Sequence, residues 1–117
     1  MSNTLNRYLY AIWSLHEKYC CVRSVDVAHY LRLTKPSVSV SVRQLQEQGM
    51  IEIDPDGNLS FTEPGKALAE KLSVRVDYFS ALLADAGVEP DLALQDAMAF
   101  GWNMSDTSFE AFRRMQK

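Results

Sequence analysis

Two groups of residues in this chain have the types and spacing to do chemistry. The first lies in the run TKPSVSVSVRQLQEQ over residues 34–48, where Thr34, Ser37, Ser39 and Val40 are interspersed with Lys35, Pro36 and Arg43. Serine hydroxyls donate to or accept from base edges and phosphates, an isolated aliphatic side chain rests on a thymine methyl, and basic side chains neutralise phosphate. A helix face this small and lightly charged can approach another surface closely, a DNA major groove among them. The same residues would equally fill the outer side of an ordinary surface helix. The second group is His16, Cys20 and Cys21. His16 and Cys20 stand i, i+4, the spacing of two ligands on one helix face. With Cys21 close by, two or three ligands without a fourth make a weak signal, and a structural or surface role is the reading favoured for a lone histidine and a buried cysteine. Adjacent cysteines bridge each other only with strain, so the pair fits a reducing compartment.

The first group needs a helix to present it. Thr34 is placed to cap one that starts near Lys35, with Pro36 in the first turn, where its missing N–H costs nothing. Val38, Val42 and Leu45 recur at i, i+4 and i+7 and face inward; Ser37, Val40, Ser41, Arg43 and Gln44 fall on the outer side. Upstream, Leu5, Tyr8, Leu9, Ile12, Trp13 and Leu15 mark a helix over residues 4–19. Ser24 is the expected N-cap of a second helix, SVDVAHYL, with Asp26 near the positive end of its dipole. Only Arg32, Leu33 and Thr34 separate this second helix from the third, which is the spacing of a helix-turn-helix. In the usual docking of that motif Arg23, Ser24, Arg32 and Lys35 lie within reach of backbone phosphates, while His29 is a packing or phosphate-facing residue.

After Gly49 the alternation in MIEID, the turn signal PDGN and the second alternation LSFT predict a two-stranded hairpin, and with it a winged helix. Asp54 and Asp56 make the tip a poor phosphate clamp, leaving Asn58 and Lys66 as its useful groups. Thr62 caps a long helix carrying Leu68, Leu72, Val76, Phe79 and Leu83 on one face. Gly87 ends it. A further helix starts at Pro90, with Leu94, Met98 and Trp102 on one side, and a last one over residues 105–116 is capped by Ser105 and groups Phe109, Phe112 and Met115. The expected fold is mainly α with a small β-hairpin, a winged helix-turn-helix over residues 1–65 followed by a helical dimerisation region over 66–117. These helices carry more apolar surface than one small core requires, which points to a homodimer interface including Leu5, Phe79, Leu83, Phe109 and Phe112; folding back on the first helix in a monomer is the alternative.

The 117 residues carry a net charge of −3, which by itself argues against a nucleic-acid partner. Its distribution argues otherwise. Residues 1–46 hold six basic side chains against Glu17 and Asp26, a balance of +4, whereas residues 47–117 hold six basic against thirteen acidic, −7. The basic part contains the organising helix. No apolar run approaches a membrane span and the N-terminus lacks a signal-peptide layout, so a cytoplasmic protein without membrane contact is expected. With two histidines, no glycine-rich phosphate loop and no nucleophile beside a base, enzyme chemistry is not expected.

The stretches YLYAIWSL (8–15), SVDVAHYLRLTKPSVSVSVRQLQEQGMIE (24–52), LSFTEPGKALAEKL (59–72) and NMSDTSFE (103–110) together resemble the diphtheria-toxin-repressor family of metal-dependent regulators, in particular its manganese-transport-regulator branch. The resemblance implies a homodimer that binds a palindromic operator in double-stranded DNA through the helix over 35–48, switched by manganese or iron held between the first helix and the two helices after the wing. The ligand positions it implies fall on Arg7, Tyr10, Val76, Met98, Gly101 and Trp102. Only Met98 retains ligand capacity there, and a thioether does not hold manganese or ferrous iron. Arg7 would repel a cation and could pair instead with Asp77 or Asp96. The expected reading is thus a regulator not governed by metal at the family's usual position and without a predicted cofactor, His16, Cys20 and Met98 being the weak metal candidates. A winged helix used only for protein contacts, or a sensor with a remodelled metal site, are the alternatives.

Overall fold

The structure, a computed structural model, describes residues 3–115. In chain order the elements are α1 (Asn3–His16), α2 (Ser24–Leu31), α3 (Lys35–Glu47), β1 (Ile51–Ile53), β2 (Leu59–Phe61), α4 (Glu63–Asp85), α5 (Pro90–Phe100) and α6 (Asp106–Met115). They form two compact units that divide between Lys71 and Leu72. The boundary falls inside α4, so the first unit takes in helical turns beyond residue 65, the end expected for the winged domain. Gln116, which the expected last helix included, lies outside the described residues.

In the first unit, α1, α2 and α3 pack on one another and α3 on β1. Leu9, Ile12, Val27, Val38, Leu45, Ile51 and Leu59 are fully buried there, and burying each such side chain contributes about 1.5–3 kcal/mol. Helix α1 stops at His16 rather than at 19, because the next residues offer no apolar face: Tyr19 is 59% exposed, and a turn closes through Lys18 and Tyr19 N–H groups donating to the Leu15 carbonyl. The N-cap of α2 is Arg23, one residue before the expected Ser24. Asp26 reaches back to accept the Arg23 backbone N–H at 2.8 Å, the acidic half of a capping box, and Ser24 enters as the first helical residue. The turn into α3 runs through Arg32 in the left-handed conformation, φ 57°, with the Leu33 N–H donating to the Ala28 carbonyl at 3.0 Å. Thr34 then caps α3 as expected, its hydroxyl oxygen accepting the Ser37 N–H. Ser41 corrects the sequence reading. It sits at i+3 from Val38 beside Val42 and is buried, a small residue filling the inward stripe where a larger one would hold the helices apart.

The hairpin pairs Ile51 with Phe61, Glu52 with Ser60 and Ile53 with Leu59, antiparallel. Its turn is organised by Asp54, whose carboxylate accepts the N–H groups of Asp56 and Asn58 and the Asn58 side-chain amide; these bonds, led by that of the Asn58 backbone, hold the carboxyl below its usual range. At the base of the hairpin the Thr62 hydroxyl donates to the Gly49 carbonyl at 2.6 Å and accepts the Gly65 N–H at 3.1 Å, while the Thr62 N–H donates to the Met50 carbonyl at 3.1 Å. Gly65 lies so close to that strand of backbone that a Cβ on it would stand 1.7 Å from the Met50 carbonyl oxygen.

The second unit has its own core. Glu89 and Ser105 cap α5 and α6, accepting the N–H groups of Leu92 and Ser108. Phe79 is the centre of an aromatic group, with ring centroids 5.2 Å from Tyr78, 4.8 Å from Phe100, 5.8 Å from Phe109 and 5.7 Å from Phe112. Helix α5 ends at Phe100, so Trp102 stands in the turn after it rather than on its apolar side. Arg75 of α4 is 4% exposed. Its guanidinium donates to the carbonyls of Gly101 (3.3 Å) and Met104 (2.5 Å) and to the Asp106 carboxylate, and it lies 5.1 Å from the Phe109 ring centroid. One cation therefore organises the whole connection between α5 and α6.

Two substitutions test these junctions. Gly65→Ala forces the start of α4 off the Met50 backbone and is expected to lower unfolding free energy by at least about 1–3 kcal/mol in urea titration. Arg75→Met leaves two carbonyls without their charged donor and should cost about 3 kcal/mol, at the charged-hydrogen-bond end of the range because the guanidinium itself is buried; Arg75→Lys, which cannot reach all three acceptors, should recover only part of it.

Candidate nucleic-acid interface

The face of α3 turned away from its buried stripe carries Lys35, Pro36, Ser37, Ser39, Val40 and Arg43, all exposed. Val40 is 60% exposed although aliphatic, a cost in water that contact with another apolar group removes. The Thr34 hydroxyl donates to Ser37 Oγ at 3.0 Å, which orients the Ser37 hydroxyl and leaves its own proton to donate outward. Gln44, one turn beyond Val40 and exposed, continues the same row. Periodicity places it on the outer side, yet it is absent from the base-reading residues expected from sequence. The signal for it is the 37, 40, 44 spacing together with an amide able to bond adenine in a bidentate manner.

The flanks of this face are basic. Arg32 at the turn and Arg23 before α2 are exposed, and Ser24 is half-buried. Arg23 Nε donates to Asn58 Oδ1 at 3.5 Å, so two residues singled out separately in sequence meet between the loop before α2 and the wing. The same loop is fastened to the wing by the Leu59 N–H, which donates to the Val22 carbonyl at 2.7 Å. His16 is drawn in as well. Its Nε2 is bonded to the Leu59 carbonyl at 2.8 Å and its ring lies 5.8 Å from that of Phe61, a structural bond that ties the end of α1 to β2. Cys20 and Cys21 remain exposed free thiols. The Cys21 thiol is pushed up from its usual range, first by the charge of Cys20 and then by their mutual hydrogen bond, with Arg23 pulling it the other way.

The positions at which the resemblance places a divalent ion do not fit one. Arg7 is exposed, Tyr10 and Met98 are buried, and Val76 is fully buried and has no donor atom. Gly101 has no side chain, and its carbonyl already accepts from the Arg75 cation. The Trp102 indole offers only an N–H. Among the described residues no group of three or more His, Cys, Asp or Glu side chains is arranged to hold a metal. Of the side chains expected at a dimer interface, Leu5, Phe79 and Phe109 are buried within the chain, Leu83 is half-buried and Phe112 is 42% exposed. Leu92, Phe100 and Met115 are exposed in the same unit as Phe112. No helix among the described residues is long and apolar enough to cross a membrane.

Comparison with known proteins follows the same lines. The model of the iron dependent repressor N-terminal DNA binding domain matches residues 1–59. The transcriptional regulator MntR of Escherichia coli O6:H1 is 31% identical over 91 residues, 78% of this chain and 59% of the relative. The diphtheria toxin repressor of Corynebacterium efficiens is 31% identical over 67 residues, 57% of this chain and 29% of the relative. The chain thus spans less than two thirds of either relative. In fold it is similar to the manganese regulator SloR, with a TM-score of 0.82 at 19% identity, covering 99% of this chain and 54% of that one.

Proposed function

Since the chain belongs to the iron-dependent-repressor family, we propose that it is a dimeric DNA-binding transcriptional regulator that reads a palindromic operator with α3 and is not controlled by a divalent ion at the family's usual position. The observation that carries the first part is the outer row of α3, where Ser37, Val40 and Gln44 are exposed in line and flanked by Lys35 and Arg43. Such a row has base-reading groups at its centre and phosphate-binding groups at its edges, the division of labour of a recognition helix. Arg23 and Arg32 add cations on either side of α2. The exposed Leu92, Phe100, Phe112 and Met115 supply apolar surface in the second unit for a two-fold partner.

The second part rests on donor chemistry. Manganese and ferrous iron require carboxylate and imidazole, and Val76, Gly101 and Trp102 supply neither. A fixed cation, Arg75, already takes the Gly101 carbonyl.

Selection of bound duplexes from a random pool should yield two inverted half-sites about 10 base pairs apart, one for each α3 of a dimer. On that duplex the logarithm of affinity should fall with the logarithm of salt by about 0.9 per phosphate contacted. Lys35→Ala and Arg43→Ala should weaken binding to all duplexes alike and flatten that slope. Val40→Ala and Ser37→Ala should instead shift preference by about 1–3 kcal/mol at single base pairs. Selection that returns no sequence, with no salt-dependent binding, would leave the fold as a protein-contact module. In calorimetry manganese should show no micromolar binding to the full chain, and duplex affinity should be the same in chelator as in added manganese.

A further inference from the structure

We propose that Cys20 and Cys21 form a two-thiol site for a trivalent, thiophilic metalloid of the arsenical class, placed where its occupation acts on the DNA-binding unit. Both thiols are free and exposed on adjacent residues, and they are close enough that Cys20 pushes the Cys21 thiol up. A direct disulfide between neighbours in sequence is strained. An arsenic atom inserted between the two sulfurs enlarges the ring and removes that strain, and soft thiolates favour it over the hard divalent ions. With an organic arsenoxide the reaction is a condensation: the two S–H protons leave with the arsenoxide oxygen as water, two As–S bonds form, and arsenic stays trivalent. His16 takes no part, since its Nε2 is bonded to the Leu59 carbonyl.

The location gives occupation its consequence. The two cysteines immediately precede Val22, whose carbonyl accepts the Leu59 N–H of β2, and Arg23, which starts α2 through Asp26 and reaches Asn58 of the wing. Drawing both sulfurs onto one atom fixes the backbone of residues 20 and 21 and so constrains the loop that joins α1, α2 and the wing. The effect on DNA rests on the reading of α3 proposed above; the site itself does not.

The test uses the full chain and phenylarsine oxide in excess glutathione, a monothiol competitor. Intact-mass measurement should show one arsenical per chain. Cys20→Ser and Cys21→Ser should each weaken its retention about a hundredfold, the loss expected when a second intramolecular contact is removed. Retention by either single variant equal to that of the parent overturns the site. Duplex affinity is then measured with and without the arsenical. A change of fivefold or more in the parent, absent in Cys20→Ser and Cys21→Ser, supports the coupling, and an unchanged affinity in a parent that holds the arsenical overturns it. Absence of salt-dependent duplex binding in untreated protein counts against the proposed function alone, because the mass measurement stands without it.

Discussion

The winged unit closes at one backbone crossing. Three segments meet there: the end of α3 at Gly49, the entry to β1 at Met50, and the start of α4 at Thr62 and Gly65. Thr62 bonds in three directions at this point, to Gly49, Met50 and Gly65, and Gly65 allows the approach because it lacks a Cβ. Gly49, at φ 74°, provides the turn that α3 needs to stop there. The hairpin, only three residues per strand, is too short to be stable by itself. Its orientation beside α3 is inherited from this crossing, from the Val22–Leu59 bond and from His16.

Much of this is legible in the sequence because the signals are local. Thr34 with Pro36, Thr62 with Pro64, and Ser105 each announce a helix start through side chains that act within four residues. The inward stripe Val38, Val42, Leu45 follows from periodicity alone. What escapes is decided by contacts distant in sequence. Ser41 reads as an outer hydroxyl until its neighbours are known, His16 as a possible ligand until the Leu59 carbonyl comes within reach, and Arg75 as one more charge on a long helix until residues 101–106 fold around it. The shift of the α2 cap from Ser24 to Arg23 is smaller in kind, since a side chain two residues downstream of the serine settles which residue takes the role. On the candidate site, the row on α3 can be read by spacing, whereas the meeting of Arg23 with Asn58 across 35 residues has no local signal.

In the first unit, α3 lies within the segment that the model of the family's DNA-binding domain matches. In the second, positions at which the resemblance places a divalent ion are occupied by groups with other uses: Val76 fills the core, and Gly101 gives its carbonyl to Arg75. A guanidinium is covalently part of the chain and does not exchange with solution. The α5–α6 connection built around it is therefore permanent, in contrast to one assembled on an exchangeable ion.

Arg32 carries a consequence of its own. Among the described residues it alone, glycines aside, has a positive φ, and a left-handed L-residue is strained by about 1–2 kcal/mol. Glycine at this corner would relax the backbone. The chain instead keeps a long cationic side chain there, at the point where α2 hands over to α3. Arg32→Gly would relieve that backbone strain and at the same time remove an exposed cation from the turn between α2 and α3.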